Sequence, residues 1–89
     1  MSYEIKFSQA ALRSLGKLDE TTQDMIFAWI FKNLSDTTKP RDIGLPLKGK
    51  LKGLWRYRIG KYRILAKIDD RELIILVIDI GHRKRIYLT

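Results

Sequence analysis

Between residues 54 and 68 the sequence doubles back on itself. Leu54-Trp-Arg-Tyr-Arg-Ile59 and Tyr62-Arg-Ile-Leu-Ala-Lys-Ile68 alternate with period two on either side of Gly60-Lys61. Glycine at the first position of a two-residue connection suits a type II′ turn, whose twist matches that of the strands it joins. With that turn, Ile59 lies opposite Tyr62, Arg58 opposite Arg63, Tyr57 opposite Ile64 and Arg56 opposite Leu65. Two faces result. Trp55, Tyr57, Ile59, Tyr62, Ile64 and Ala66 share one, while Arg56, Arg58, Arg63 and Lys67 share the other with Leu54 and Leu65. A hairpin with one apolar face must be backed by other elements, and helices are the available cover.

The preceding sequence supplies them. Tyr3 to Phe7 alternates as a first strand, with Tyr3, Ile5 and Phe7 on one face. Ser8 is placed to cap a helix through Gln9 to Leu15, which Gly16 ends or interrupts. Asp19 caps a second helix, in which Met25, Ile26, Trp29, Ile30 and Leu34 form an apolar stripe. Trp29 and Phe31 are assigned to the core on that stripe rather than to a base-stacking platform. Ser35 to Gly53 holds both prolines and three glycines and is expected to be an irregular connection. Asp69 to Glu72 then turns the chain into Leu73 to Ile80, a nearly continuous apolar run suited to a central strand. The expected class is α+β: an N-terminal strand, two helices, then a three- to four-stranded antiparallel meander. At 89 residues, positions 1–89 form one domain with one thin core.

Several functions are excluded at once. There is no cysteine for a disulfide, a thiolate metal site or redox chemistry. No apolar run is long enough for a membrane span, and the N-terminus lacks the features of a signal peptide, so a cytoplasmic address is expected. P-loop, nucleophile elbow and spaced metal-ligand patterns are missing, so neither a metal nor a small-molecule cofactor is expected.

Charge points the other way, toward a polyanion. Residues 1–42 carry six basic and six acidic side chains, whereas residues 43–89 carry twelve basic and four acidic, so the whole net charge of +8 lies in the second half. Lys48, Lys50, Lys52 and Lys61 join Arg56, Arg58 and Arg63 without an intervening acid, as groups that track a nucleic-acid backbone do. Arg58 directly across from Arg63 is a like-charge pair that opposes folding by roughly 0.2 to 1 kcal/mol. A bound phosphate would cancel that repulsion, and arginine forks suit it. A shifted register, or neutralisation by Asp69, Glu72 or Asp79, would remove the argument. Beyond the central strand, Gly81-His-Arg-Lys-Arg-Ile-Tyr-Leu-Thr89 adds the one histidine, His82, together with Arg83, Lys84, Arg85 and Tyr87. His82 is an acid or base candidate, or equally a phosphate or packing contact. Nearby cations would lower the pKa of the Tyr87 phenol. These parts suit metal-free cleavage of RNA, in which the substrate's own 2′-hydroxyl attacks the phosphate.

Leu47-Lys-Gly-Lys-Leu-Lys-Gly-Leu54, Gly53-Leu-Trp-Arg-Tyr-Arg-Ile-Gly-Lys-Tyr-Arg-Ile-Leu65 and Ile80-Gly-His-Arg-Lys-Arg-Ile-Tyr87 resemble the RelE/ParE superfamily of type II toxins. The resemblance covers nearly the whole chain and implies a RelE-like fold and a cognate antitoxin partner. RelE-like members cleave mRNA in the ribosomal A site, and ParE-like members inhibit DNA gyrase. On the RelE-like pattern, Arg56 and Arg58, Arg63, Arg83 and Tyr87 occupy the functional positions. Arg58, Arg63 and Arg83 would stabilise charge on the phosphate, Arg56 would orient the RNA with Lys48, Lys50, Lys52, Lys61, Lys84 and Arg85, and Tyr87 or His82 would move protons. The best-known RelE pattern has lysines where Arg56 and Arg58 stand, and arginine is a poor general base, which leaves the base open. A binding-only RNA domain is the third reading.

Overall fold

Both helices begin at the side chains expected to cap them. In the computed structural model, which describes residues 2–82, the Ser8 hydroxyl accepts the Ala11 N–H at 3.0 Å to open α1 (Gln9–Gly16). The Asp19 carboxylate accepts the Thr22 N–H at 3.2 Å to open α2 (Glu20–Asn33). Hydrogen bonds from Thr22, the side-chain one foremost, hold the Asp19 carboxyl below its usual range.

Five strands make one sheet: β1 (Glu4–Phe7), β2 (Leu45–Pro46), β3 (Trp55–Ile59), β4 (Tyr62–Asp69) and β5 (Ile74–His82). Their order across it is β1-β5-β4-β3-β2. The last four strands form the antiparallel meander, and β1 closes it by pairing parallel with β5, Glu4 opposite Ile74 and Phe7 opposite Val77. The class expected from sequence is therefore the one observed. Within the stretch 35–53, expected to be irregular, lie the two-residue edge strand β2 and a 3₁₀ turn at Gly49–Leu51. Pro46 is tolerated in β2 because an edge strand has only one neighbour to bond.

α1 contributes Ala11 and Leu15, and α2 contributes Ile26, Ile30 and Leu34, to a core that packs on Tyr57, Ile59, Ile64, Ala66, Ile75, Val77 and Ile80. Burying each large aliphatic side chain contributes about 1.5 to 3 kcal/mol. Trp29 packs against this core as expected, but two aromatic and stripe assignments need correction. Phe31 is 64% exposed and Met25 also lies outside. The buried line is Ile26-Ile30-Leu34, and Met25 and Phe31 each sit one residue from it, roughly 100° around the helix. Phe31 instead stacks on Phe27, with ring centroids 6.4 Å apart.

Tyr57 ties the long connection to the sheet. It is fully buried, its ring lies against Trp29 at 6.1 Å, and its hydroxyl donates to the Pro40 carbonyl at 2.7 Å. Gly44 passes so close that a β-carbon there would stand 2.9 Å from the tyrosine ring. Burial raises the Tyr57 phenol to about 12. The folded state therefore keeps a proton that the unfolded chain releases near pH 10, and the associated stability is complete below that pH and lost as pH rises toward the folded value. A tyrosinate absorbance titration is expected to show the Tyr57 phenol ionising late, together with alkaline unfolding, and Tyr57→Phe should remove that contribution.

A second tie gathers the far end of the sheet. Arg41 donates two parallel hydrogen bonds to Asp70, at 2.9 and 2.8 Å, lies over the Trp55 ring at 5.8 Å, and shares Asp70 with the Tyr3 hydroxyl at 2.6 Å. Arg41, then Tyr3, lowers the Asp70 carboxyl, while the bond to Asp70 raises the Tyr3 phenol. The ion pair is largely exposed, so it orients the connection more than it stabilises it.

Candidate phosphate-binding site

The β3-β4 register is the one that Gly60-Lys61 implies. Ile59 pairs with Tyr62, Arg58 with Arg63, Tyr57 with Ile64, Arg56 with Leu65 and Trp55 with Ala66. Gly60 has φ +58 while Lys61 keeps an ordinary negative φ, as a type II′ turn requires. Tyr57, Ile59, Ile64 and Ala66 are buried on the helix side, with Trp55 and Tyr62 packed at its margin. Arg58 and Lys67 are exposed on the other side and Arg56 is half-buried.

Arg63 departs from that picture of an open cationic face. It is 6% exposed and its neighbour on the same face, Leu65, only 5%. The Arg63 Nη1 donates to the carbonyls of Gly60 and Tyr62, at 3.3 and 3.2 Å, so the guanidinium folds back along the turn. This anchorage fixes the plane of the guanidinium beside the turn. Two of the carboxylates considered as neutralising groups are engaged elsewhere. Asp69 accepts the N–H groups of Arg71 and Glu72, both at 3.0 Å, and Asp79 accepts the Ser14 hydroxyl and the Ile80 N–H, both at 2.8 Å. The strand register keeps Arg58 directly across from Arg63 in the folded chain.

β5 reaches the turn end of the hairpin by a route the sequence did not announce. Leu65 pairs with Asp79 but the next residue, Ala66, pairs with Val77, which leaves Ile78 as the extra residue of a β-bulge. Ile75 and Val77 are buried against the helices, so strict alternation would send Ile80 outward. The bulge resets the phase: Ile80 is buried opposite Ile64, Gly81 falls opposite Arg63 and His82 opposite Tyr62. His82 meets the Tyr62 ring edge-on with centroids 5.9 Å apart. Arg58, Lys61 and Arg63 therefore gather at the turn end of the sheet with Gly81 beside them, while His82 lies at the same end on the helix-side face with Tyr62. Lys48, Lys50 and Lys52 are exposed on and beside the 3₁₀ turn that leads into β3. Arg83, Lys84, Arg85 and Tyr87 lie outside the described residues. Sequence reasoning missed the bulge, Ser14 and the pairing of Tyr62 with His82. The available sign was Asp79, a lone acid in an apolar run.

Among the described residues, no three His, Asp or Glu side chains are gathered as a metal ion would need, and no helix is long and apolar enough to cross a membrane. The site offers fixed positive charge and one imidazole.

A family model described as "ParE toxin of type II toxin-antitoxin system, parDE" matches residues 5–87. Toxin RelG of Mycobacterium tuberculosis is 33% identical over 87 residues, covering 98% of each chain. The chain is a type II toxin of the RelE/ParE superfamily. The toxin also superimposes on solved structures of the same group. In the toxin-antitoxin complex RelBE2 from M. tuberculosis, a chain 31% identical covers 93% of this one with a TM-score of 0.84, itself matched over its full length. A mutant of the Escherichia coli toxin RelE in the free state reaches 0.70 at 20% identity over 92% of this chain and 84% of that one, a likeness of fold alone.

Proposed function

We propose that this toxin is a ribosome-dependent endoribonuclease that cleaves mRNA in the A site, by attack of the RNA 2′-hydroxyl on the adjacent phosphate. The observation that carries the reading is Arg58 held across from Arg63, with Lys61 in the turn between them and Gly81 alongside Arg63. Two arginines placed directly across a strand pair would offer a preorganised anion site, and such groups act most strongly on charge that develops in the transition state. The 2′-oxygen forms a bond to phosphorus and gives up its proton, the 5′-oxygen leaves and gains one, and the products are a cyclic phosphate and a 5′-hydroxyl. Arg58, Arg63 and Arg83 would bear the phosphate charge, and His82 or Tyr87 would carry the protons. Lys48, Lys50 and Lys52, with Arg56, Lys61, Lys84 and Arg85, would hold the flanking backbone. No step calls for a metal or an organic cofactor.

The relatives solved as toxin-antitoxin complexes support a cognate antitoxin for this toxin as well. An acidic or amphipathic segment would complement the cationic end, either lying along it or displacing the segment that carries Tyr87. The ParE description of the matching family favours a second reading, inhibition of DNA gyrase without RNA cleavage. Primer extension on cellular mRNA after induction separates the two. The ribonuclease reading expects new 5′ ends at fixed positions within codons, and gyrase-linked DNA breaks without such ends would replace it with the second.

A further inference from the structure

Helix α1 grips β5 at the bulge from two places. The Ser8 backbone N–H donates to the Val77 carbonyl at 2.9 Å, and its hydroxyl donates to the Ile78 carbonyl at 2.7 Å while accepting the Ala11 N–H. One helical segment on, the Ser14 hydroxyl donates to Asp79 Oδ1 at 2.8 Å, and the same oxygen takes the Ile80 N–H at 2.8 Å. Three consecutive residues of β5 are thus fastened to one helix. Immediately beyond them, Gly81 and His82 meet Arg63 and Tyr62.

An irregular strand needs such fastening. A bulge interrupts the ladder and leaves one residue without a cross-strand partner, so its backbone groups must be satisfied from elsewhere. In a nearly continuous apolar run a register slip of one residue exchanges the two faces at little hydrophobic cost, because Ile and Val suit either. Here the slip would send Ile80 outward and exchange the faces of Gly81 and His82, taking His82 off the Tyr62 ring. Asp79 and Ser14 oppose it with a specific hydrogen bond, and Asp79 also closes on its own neighbour's N–H.

We propose that Asp79, held by Ser14, is a positioning residue: as a hydrogen-bond acceptor it sets the phase of β5 that places His82 and Gly81 beside Tyr62 and Arg63. The assignment rests on the ribonuclease reading for its kinetic consequence, but not for its structural one. Acceptor function does not need the negative charge. An amide oxygen in the same place would take both hydrogen bonds, whereas a charge-neutralising or proton-transferring carboxylate would fail as an amide.

Asp79→Asn, Asp79→Ala, Ser14→Ala and Ser14→Thr, compared in the full chain, separate these roles. Ribosome-programmed mRNA cleavage gives kcat and KM, and the nuclear Overhauser contact between the Tyr62 and His82 rings gives the phase of β5 directly. Asp79→Ala is expected to lower kcat on the order of 10²-fold through misplacement, with KM changed little, and to abolish the ring contact. Ser14→Ala should move both readouts in the same direction with Asp79 still present, which keeps the test open if Asp79→Ala folds poorly. Asp79→Asn and Ser14→Thr should keep the ring contact and stay within roughly threefold of the parent, a difference worth well under 1 kcal/mol. Retention of the ring contact in both alanine variants would overturn the proposal, and so would an Asp79→Asn variant as impaired as Asp79→Ala. Should the parent toxin cut no mRNA, the ribonuclease reading fails, and the ring contact still decides the positioning role.

Discussion

Arg58→Ala is expected to lower mRNA cleavage by roughly 10² to 10³-fold while leaving the melting temperature unchanged or slightly higher. The two effects have one origin. Arg58 is exposed and stands across from Arg63, so removing it relieves a like-charge contact that opposes folding by roughly 0.2 to 1 kcal/mol. The same removal would take one of the two opposed arginines from the proposed anion site. Few surface substitutions combine a large loss of activity with no loss of stability, and that combination separates a functional arginine from a structural one. Arg63 would be a less clean choice, since its guanidinium is buried and bonded to the turn carbonyls of Gly60 and Tyr62. Chemical denaturation alongside the cleavage assay checks the claim. A variant that cleaves at the parental rate would place the phosphate elsewhere.

The largest effect on stability is expected at Tyr57. Replacing it by alanine should cost about 3 to 5 kcal/mol, the range for deleting a buried aromatic ring, out of a total that for a domain this small is about 5 to 15 kcal/mol. The side chain is fully buried between Trp29 and the connection that Pro40 and Gly44 belong to, so its removal opens a cavity and releases that connection together. Tyr57→Phe keeps the ring and loses only the hydroxyl bond to Pro40, and should cost about 1 kcal/mol. Urea melts of the two variants measure both the packing and the hydrogen-bond contributions. Equal midpoints for the two would mean that the ring fills no essential space.

The hairpin was legible residue by residue because its alternation has contrast. Aromatic and aliphatic side chains interleave with arginines, so period and register are written in chemistry, and Gly60 marks the turn. The caps Ser8 and Asp19 were legible for a similar reason, since each is a short polar side chain in front of a helical pattern. β5 offered no such contrast. Ile74 to Ile78 is apolar throughout, and an extra residue leaves no trace in a run where either face can be buried. The parallel partnership of β1 with β5 is likewise a matter of tertiary closure, which no local pattern encodes. Phe31 was misplaced because a stripe judged by apolarity alone is wider than the line the sheet covers. In the candidate site, Arg58, Lys61 and Arg63 followed from the turn, whereas the contact of His82 with Tyr62 depends on how β5 is phased.

That β1 closes on β5 also shapes how the chain reaches its active form. Ser8 is bonded to Ile78, seventy positions away, while β3, β4 and β5 need only near neighbours to pair. The meander can assemble as a local unit, but the helix that fastens the bulge is anchored through a closure among the most distant of the described residues, and distant closures form late. During synthesis the cationic hairpin can therefore exist before β5 is locked in phase. Competence to act would be the last property acquired, and a partner that captured the chain earlier would meet a toxin not yet armed.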